Sequence, residues 1–275
     1  MIGITGASGG MGTRVAERIA ARGLLQRLIV RDASRAPEAA AEVREAPSYG
    51  ARDEMRAALE GVETLFLIPA RESADRVEQH FTVVDAAVDA GVRRIVYLSF
   101  VGGRGSSFTL GREHFATEDH IRASGLSWVF PRMNLYMDFI PSMVGADGVI
   151  RGPADSGRFA AVLRDDIADA VAAILASPAA HDGRSHDLTG PEAFTLAEAA
   201  EEMSRAWGRP ISFEDETLDE ARASRAGYGA PDWEVEAWIS SYVAIANGEL
   251  ERVSDGVEQL AGHPPTALRQ WLARA

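Results

Sequence analysis

The chain has 275 residues, no cysteine and a formal net charge of −13 at pH 7. Disulfides, thiolate nucleophiles and zinc–thiolate sites are therefore excluded, and the acidic balance argues against non-specific nucleic-acid binding and against an anionic membrane surface. No apolar run approaches the roughly 20 residues needed to span a bilayer, and no basic-apolar leader precedes the first strand. A soluble protein with a small-molecule ligand is expected, and the lack of cysteine is compatible with a cytoplasmic location.

The first element is a short apolar run ending in Thr5, followed by a glycine loop and a helix in which Met11, Val15 and Ile19 share one face. Gly6, Gly9 and Gly12 are spaced for three tasks. One makes a turn of unusual φ, one lets the backbone approach a phosphate, and one packs helix closely on strand. The segment reads as a dinucleotide-binding loop whose candidate contacts are Gly6, Ser8, Gly9, Gly10, Met11 and Gly12, at a helix N-terminus that favours a pyrophosphate.

Gly23 is the expected cap of this helix, and Leu28-Ile29-Val30 the second strand, ending in Arg31-Asp32. An arginine here can pair with a 2′-phosphate, whereas an acidic residue accepts from ribose hydroxyls. Because Arg31 comes first, NADP(H) is the preferred cofactor, with NAD(H) left open. An alanine-rich helix is expected over Pro37–Arg44, an edge strand over Glu45–Tyr49 and a helix over Arg52–Glu60. The run from Val62 to Ile68 is the fourth strand, and its end at Ile68, Pro69 and Ala70 should flank the dinucleotide. A helix over Ser73–Ala90, a strand over Arg94–Ser99, a helix over Gly111–Ser124 and a strand at Trp128–Phe130, closed by Pro131, complete the alternation.

This alternation requires crossovers, and hence an α/β, Rossmann-type doubly wound parallel sheet over residues 1–131. Residues 132–275 read as a smaller, mixed substrate-binding region, from which about 160–190 returns to the first domain. Helices are expected at Asp165–Ala176, Thr195–Trp207, Leu218–Ala226 and Asp232–Asn247, with a last one after Pro264-Pro265, and strands around Ser185–Leu188 and Ile211–Glu214. Asp165 and Asp166 read as helix-start carboxylates. Trp207, Trp233, Trp238 and Trp271 read as packing.

In this order, several segments resemble one family. They are Thr5-Gly6-x-x-Gly9-x-x-Gly12, Val30-Arg31-Asp32, Gly91 to Ser99, Glu118 with Arg122 to Leu126, Arg132-Met133-Asn134, Asp166-Ile167-Ala168-Asp169, Leu188 to Pro191, and Gly262-His263-Pro264-Pro265. The chain is similar to the NmrA-like atypical short-chain dehydrogenases, especially their quinone reductase and triphenylmethane reductase branch. The resemblance implies a nicotinamide cofactor, and it leaves a homodimer open.

Ordinary short-chain dehydrogenases carry a Tyr-x-x-x-Lys pair on the helix after the fifth strand. Here Leu110 and His114 correspond to it, so the usual acid is missing. A simple ketone would need a positioned proton donor. A quinone or cationic dye accepts hydride without one, through proximity and orientation. The resemblance makes His114 and Ser99 the candidate catalytic and cofactor-contacting groups and puts Asn134 beside the nicotinamide. Phe100, Phe108, Leu135, Tyr136 and Phe139 are the candidate wall for a flat aromatic substrate. Methionine at position 133 replaces the family's usual proline. His80, His120, His181, His186 and His263 show no metal-ligand spacing on one helix, and no metal is assigned.

Three functions follow from these residues. The first is an NADPH-dependent reductase of quinone-like acceptors. The second is a redox-sensing regulator that binds NADP(H) without turnover, and the third an isomerase or lyase using the dinucleotide transiently, for which no acid–base pair is identified.

Overall fold

The computed structural model describes residues 1–39 and 42–274. In chain order the first elements are β1 (Ile2–Thr5), α1 (Gly10–Ala21), β2 (Gln26–Val30), β3 (Glu42–Glu45), α2 (Arg52–Leu59), β4 (Thr64–Leu67), α3 (Arg76–Asp89), β5 (Arg94–Tyr97) and β6 (Ser99–Phe100). They are followed by α4 (Thr109–Ala123), β7 (Ser127–Met133), β8 (Val149–Gly152), α5 (Arg164–Ala176), β9 (Arg184–Leu188), α6 (Leu196–Trp207) and β10 (Ser212–Asp215). The last are α7 (Leu218–Arg225), α8 (Asp232–Ala246), α9 (Gly256–Ala261) and α10 (Leu268–Leu272).

The main sheet runs in the order β3-β2-β1-β4-β5-β7-β6, with β9 also paired to β7. β1, β2, β4, β5 and β7 are parallel where they meet, in registers such as Ile2↔Gln26, Ile2↔Thr64, Thr64↔Arg94 and Arg94↔Ser127. β1, β2 and β4 are buried along their whole length, which explains the apolar residues that dominate them, with Gln26 and Arg27 at the start of β2 buried as well. The chain winds from β1 out to β3 and returns to β4 at β1's other side. The order therefore reverses between β1 and β4, and the residues just beyond their carboxyl ends flank the topological switch point. Those residues are the Gly6 loop and Ile68–Ala70. This is the doubly wound sheet that the sequence predicts.

One core is built where Met55, Ala58 and Leu59 of α2 and Val83, Val84 and Ala87 of α3 meet Leu65, Leu67, Ile95 and Tyr97 of the sheet. Each fully buried Leu, Ile or Val there contributes roughly 1.5–3 kcal/mol relative to exposure.

The alanine-rich helix expected over Pro37–Arg44 does not form. Asp32 instead caps a short turn at Ala33–Arg35, Glu38 and Ala39 lie in a turn, Ala40 and Ala41 fall outside the described residues, and β3 occupies Glu42–Glu45. The edge strand thus starts three residues earlier than Glu45. The cause is tertiary: buried Arg27 of β2 donates through Nε to Glu42 at 2.8 Å, and Arg27 and Glu42 are register partners. Satisfying that cation outweighs the helix preference of alanine. The strand expected to close at Pro131 runs on to Met133; its register with β5 ends at Val129, so Pro131 owes β5 no donor.

The chain forms two compact units, Met1–Phe100 with Glu113–Arg132 and Ile167–His186, and Val101–Arg112 with Met133–Asp166 and the chain from Asp187 on. In the second unit β8 and β10 pair in parallel. α6 and α7 start in capping boxes made by Thr195 with Glu198 and by Thr217 with Glu220. Buried Arg225 is paired with Glu216 at 2.8 Å and donates to the Arg151 carbonyl at 2.9 Å. Among the described residues no helix is long and apolar enough to cross a membrane.

Candidate functional site: the switch point and its buried polar support

The glycine loop has the geometry its spacing implies. Gly6 has φ +60°, and its amide neighbourhood is closed by a bond from Gly9 N–H to the Gly6 carbonyl at 2.9 Å. A Cβ on Gly12 would lie 2.4 Å from the Gly6 oxygen and 2.6 Å from Ala7 Cα, so only glycine lets α1 pack this closely on the turn. α1 begins at Gly10 with no side-chain cap and no acidic residue in its first turn. Its first N–H groups have no intrahelical acceptor, and its dipole favours an anion there. Gly9 and Gly10 are exposed, Ser8 is half-buried and Met11 is buried in the core.

At the end of β2, Arg31 is exposed and makes no side-chain hydrogen bond or ion pair among the described residues. Asp32 is committed to its own turn, accepting Ser34 Oγ at 2.7 Å and Ser34 N–H at 2.9 Å. These bonds hold its carboxyl below the usual range, the hydroxyl contributing most. Of this pair, then, the cation is the side chain left open to a ligand.

Beyond β4, Ile68 donates its N–H to Thr5 Oγ1 at 3.1 Å, and its carbonyl accepts the Tyr49 hydroxyl at 2.8 Å. Burial pushes the Tyr49 phenol up to about 12, so it stays a donor. Ala70 donates its N–H to His80 Nε2 at 2.9 Å and accepts Arg76 Nε at 3.0 Å. Pro69, between them, has no N–H to satisfy.

His114 is 3% exposed, and both of its ring nitrogens are bonded inside the first unit: Nε2 to Arg76 Nη2 at 3.2 Å and Nδ1 to the Tyr97 hydroxyl at 2.9 Å. A guanidinium only donates, so Nε2 accepts and the proton sits on Nδ1. Burial, then Arg76, then His80 drive the His114 pKa well below its usual value. Burial and Arg76 likewise bring His80 down to about 3. His80 Nδ1 meets Thr117 Oγ1 at 2.9 Å, and Thr117 gives its own proton to the Glu113 carbonyl at 2.9 Å. Arg76 is closed off by Glu113 at 2.7 Å. Two neutral histidines thus stand in one directed network with a buried cation.

Ser99 is fully buried and donates to Glu118 at 2.6 Å. The same carboxylate takes a two-pronged contact from Arg132, at 2.8 and 2.6 Å, and Arg122 at 2.7 Å. The Ser99 proton is therefore spent on an internal charge cluster. Phe100 is buried, its ring centroid 6.0 Å from that of His114.

In the second unit, Asn134 is buried and stitches the fold. Its N–H donates to the Leu188 carbonyl at 3.1 Å, its Nδ2 to the Leu250 carbonyl at 2.9 Å, and its Oδ1 accepts Leu135 N–H at 2.7 Å. Phe108 is buried, Leu135 and Tyr136 are half-buried, and Phe139 is 54% exposed in a short 3-10 segment over Met137–Met143. Arg164 lies 4.0 Å from the Tyr136 ring centroid and pairs with Asp138 at 2.9 Å. Asp166 accepts Thr266 N–H at 2.7 Å and its hydroxyl at 3.1 Å, a structural role as expected from its place at a helix start. An open groove of about 790 Å³, lined by His263, Pro264, Pro265 and Trp271 among others, includes none of the candidate site residues.

The first unit thus gathers Gly6, Gly9, Gly10, Gly12 and Ile68–Ala70 around the switch point. The residues that sequence reasoning misses are Tyr49, Arg76, His80, Tyr97 and Thr117. A faint signal exists for some of them, since Arg76 and His80 are four apart on α3, as Glu113 and Thr117 are on α4, each pair on one helix face.

The sequence profile of the NmrA-like family matches residues 1–223. Quinone oxidoreductase 2 of Escherichia coli is 33% identical over 278 residues, covering 98% of this chain and 96% of that protein. A (4-alkanoyl-5-oxo-2,5-dihydrofuran-3-yl)methyl phosphate reductase of Streptomyces griseus is also 33% identical, over 99% of this chain and 97% of its own. Among solved structures, an NADPH-dependent quinone oxidoreductase of Escherichia coli in complex with NADPH aligns with TM-score 0.90 at 32% identity, covering 100% of this chain and 99% of that one. The triphenylmethane reductase of Citrobacter sp. in complex with NADP(H) aligns with TM-score 0.87 at 28% identity, with the same coverage. Motifs, sheet order and near full-length similarity converge: this chain belongs to the NmrA-like family.

Proposed function

We propose that the protein is an NADPH-dependent reductase that delivers hydride directly to a quinone-like or other electron-poor aromatic acceptor, with no Tyr-x-x-x-Lys acid. The carrying observation is the switch point itself: an uncapped helix N-terminus behind Gly6–Gly12 faces the carboxyl edge of the sheet, beside a backbone wall at Ile68–Ala70 with every amide and carbonyl of Ile68 and Ala70 held. The residues fit a dinucleotide. The N–H groups of α1 would hold the pyrophosphate, Arg31 the 2′-phosphate, and the Ile68–Ala70 backbone would line the path toward the nicotinamide. NADPH, when bound, supplies the hydride.

The acceptor need not be protonated as hydride arrives. A quinone yields an aromatised phenolate, which takes its proton from water, so orientation supplies the rate. This agrees with what stands where the acid would be: Leu110 has no ionisable group, and His114 has both nitrogens engaged. Ser99 is committed to Glu118. In this reading His114 and Ser99 are supports of the cofactor wall rather than proton donors, and Asn134 shapes the chain into Leu135. Leu135, Tyr136 and exposed Phe139 are the acceptor's candidate contacts, while Phe100 and Phe108 are buried. Relatives named for quinone and triphenylmethane reduction support this class.

The test is oxidation of NADPH against a panel of benzoquinones, naphthoquinones, a cationic triphenylmethane dye and a butenolide phosphate. Turnover of at least one aromatic acceptor is expected; no oxidation above the uncatalysed rate would overturn the proposal. The engagement of both candidate acids also favours a second reading, an NADP(H)-reading regulator without turnover. Calorimetry separates the two: a regulator discriminates oxidised from reduced dinucleotide and turns over no acceptor.

A further inference from the structure

We infer that Arg76 and His80 are positioning residues for the dinucleotide: from α3 they hold the Ala70 peptide from both sides and so fix the backbone wall beyond β4. The inference rests on the dinucleotide reading above and adds to it the residues that make the wall rigid.

The geometry is specific. His80 Nε2 takes the Ala70 N–H at 2.9 Å, and Arg76 Nε gives to the Ala70 carbonyl at 3.0 Å. For His80 to accept, its proton must lie on Nδ1, and that is arranged from α4. Thr117 Oγ1 stands 2.9 Å from Nδ1 and has spent its own proton on the Glu113 carbonyl. Arg76 is aimed by Glu113 at 2.7 Å and by His114 at 3.2 Å. Each member fixes the protonation or direction of the next, so the Ala70 peptide has one orientation.

Economy of folding does not require this arrangement. Ile68, Pro69 and Ala70 are themselves only half-buried. The chain instead sets a guanidinium 4% exposed and a fully buried imidazole behind them, a costly choice beside an apolar core of the same volume. Thr5 and Tyr49 secure the Ile68 end, and a Cβ on Gly6 would stand 3.6 Å from Ile68 Cβ and 3.3 Å from the Tyr49 hydroxyl, so the turn lies directly against that end. The held wall and the glycine turn therefore meet at one point. Rigid support behind a binding surface lowers the ordering cost of the ligand, and that is the role assigned here.

The experiment compares wild type with His80→Leu, which leaves the Ala70 N–H without an acceptor, and His80→Gln, whose Oε1 can replace Nε2. NADPH affinity is read by calorimetry, KM and kcat in turnover, folding by near-ultraviolet circular dichroism, and Ala70 amide exchange in the unliganded wild type. The expected result is a Kd and KM for NADPH raised about tenfold in His80→Leu with kcat little changed, and restored to within about threefold in His80→Gln. The wild-type Ala70 amide should exchange far more slowly than an open loop amide. A folded His80→Leu that binds NADPH as wild type does overturns the inference. So does an unprotected Ala70 amide, a measurement that needs no variant. Wild type that fails to bind NADPH overturns the dinucleotide reading itself, a separate and recognisable failure.

Discussion

The Arg76 guanidinium donates to His114 Nε2 at 3.2 Å and thereby settles which imidazole nitrogen holds the proton. His114 is therefore a neutral, buried Nδ1–H tautomer that meets the Tyr97 hydroxyl through Nδ1 at 2.9 Å.

His80 is depressed from 6.5 to about 3, and His114 is depressed in the same direction. Above pH 6.5 both are neutral, folded or unfolded, and stability is flat in their respect. As pH falls below 6.5 the unfolded chain takes up protons that the folded protein refuses, so stability drops by roughly 1 kcal/mol per pH unit for each histidine until the folded pKa is reached. Urea unfolding between pH 7.5 and 4.5 should show this fall, beyond what the carboxylates contribute; stability unchanged across the window would contradict the buried, neutral assignment.

Arg31 carries the proposed choice of NADPH over NADH. Removing it in Arg31→Ala should weaken NADPH binding about ten- to a hundredfold, the loss of one charge-assisted contact. NADH affinity should move little. Equal losses for both dinucleotides would show that Arg31 does not meet the 2′-phosphate.

Gly12→Ala tests the close packing of α1. The added Cβ would stand 2.4 Å from the Gly6 oxygen, a backbone atom that cannot rotate away. A stability loss of about 1–3 kcal/mol is expected from the forced shift, accompanied by weaker NADPH binding. An unchanged unfolding midpoint would argue against this packing.

Ser99→Ala should behave as a structural change. It removes one donor from Glu118 but leaves Arg122 and Arg132 on that carboxylate. Stability should fall by about 1–3 kcal/mol while kcat stays within about threefold. A loss of about a hundredfold or more in kcat would make Ser99 a participant in the chemistry.

What the sequence reveals depends on whether a residue's task is local. Apart from β3 and the residues before it, the strand–helix alternation through Phe130 is legible because the strands carry compact apolar runs and the helices their own period. The Gly6–Gly12 loop is legible because φ and close approach are properties of the glycine itself. β3 is illegible because the alanines before it say helix, and only Arg27 across the sheet, needing Glu42, says strand. β8 hides among glycines, since Val149–Gly152 gains a partner only when β10 arrives. In the site, His114 is found but the residues around it are not: Arg76 and Tyr97 reach its two ring nitrogens, with His80 and Thr117 beside them, only once α3, α4 and β5 pack together.

In the proposed reaction, hydride is delivered without a protein acid. The direct measurement mixes the NADPH complex of wild type and of His114→Gln with excess benzoquinone in a single turnover and follows loss of the reduced nicotinamide absorbance. Glutamine cannot act as an acid, but its oxygen can still accept from Arg76. Rapid loss is expected in both proteins, with rates within about threefold. No loss in wild type, or a His114→Gln rate lower by about a hundredfold or more, the range general acid catalysis commands, would contradict it.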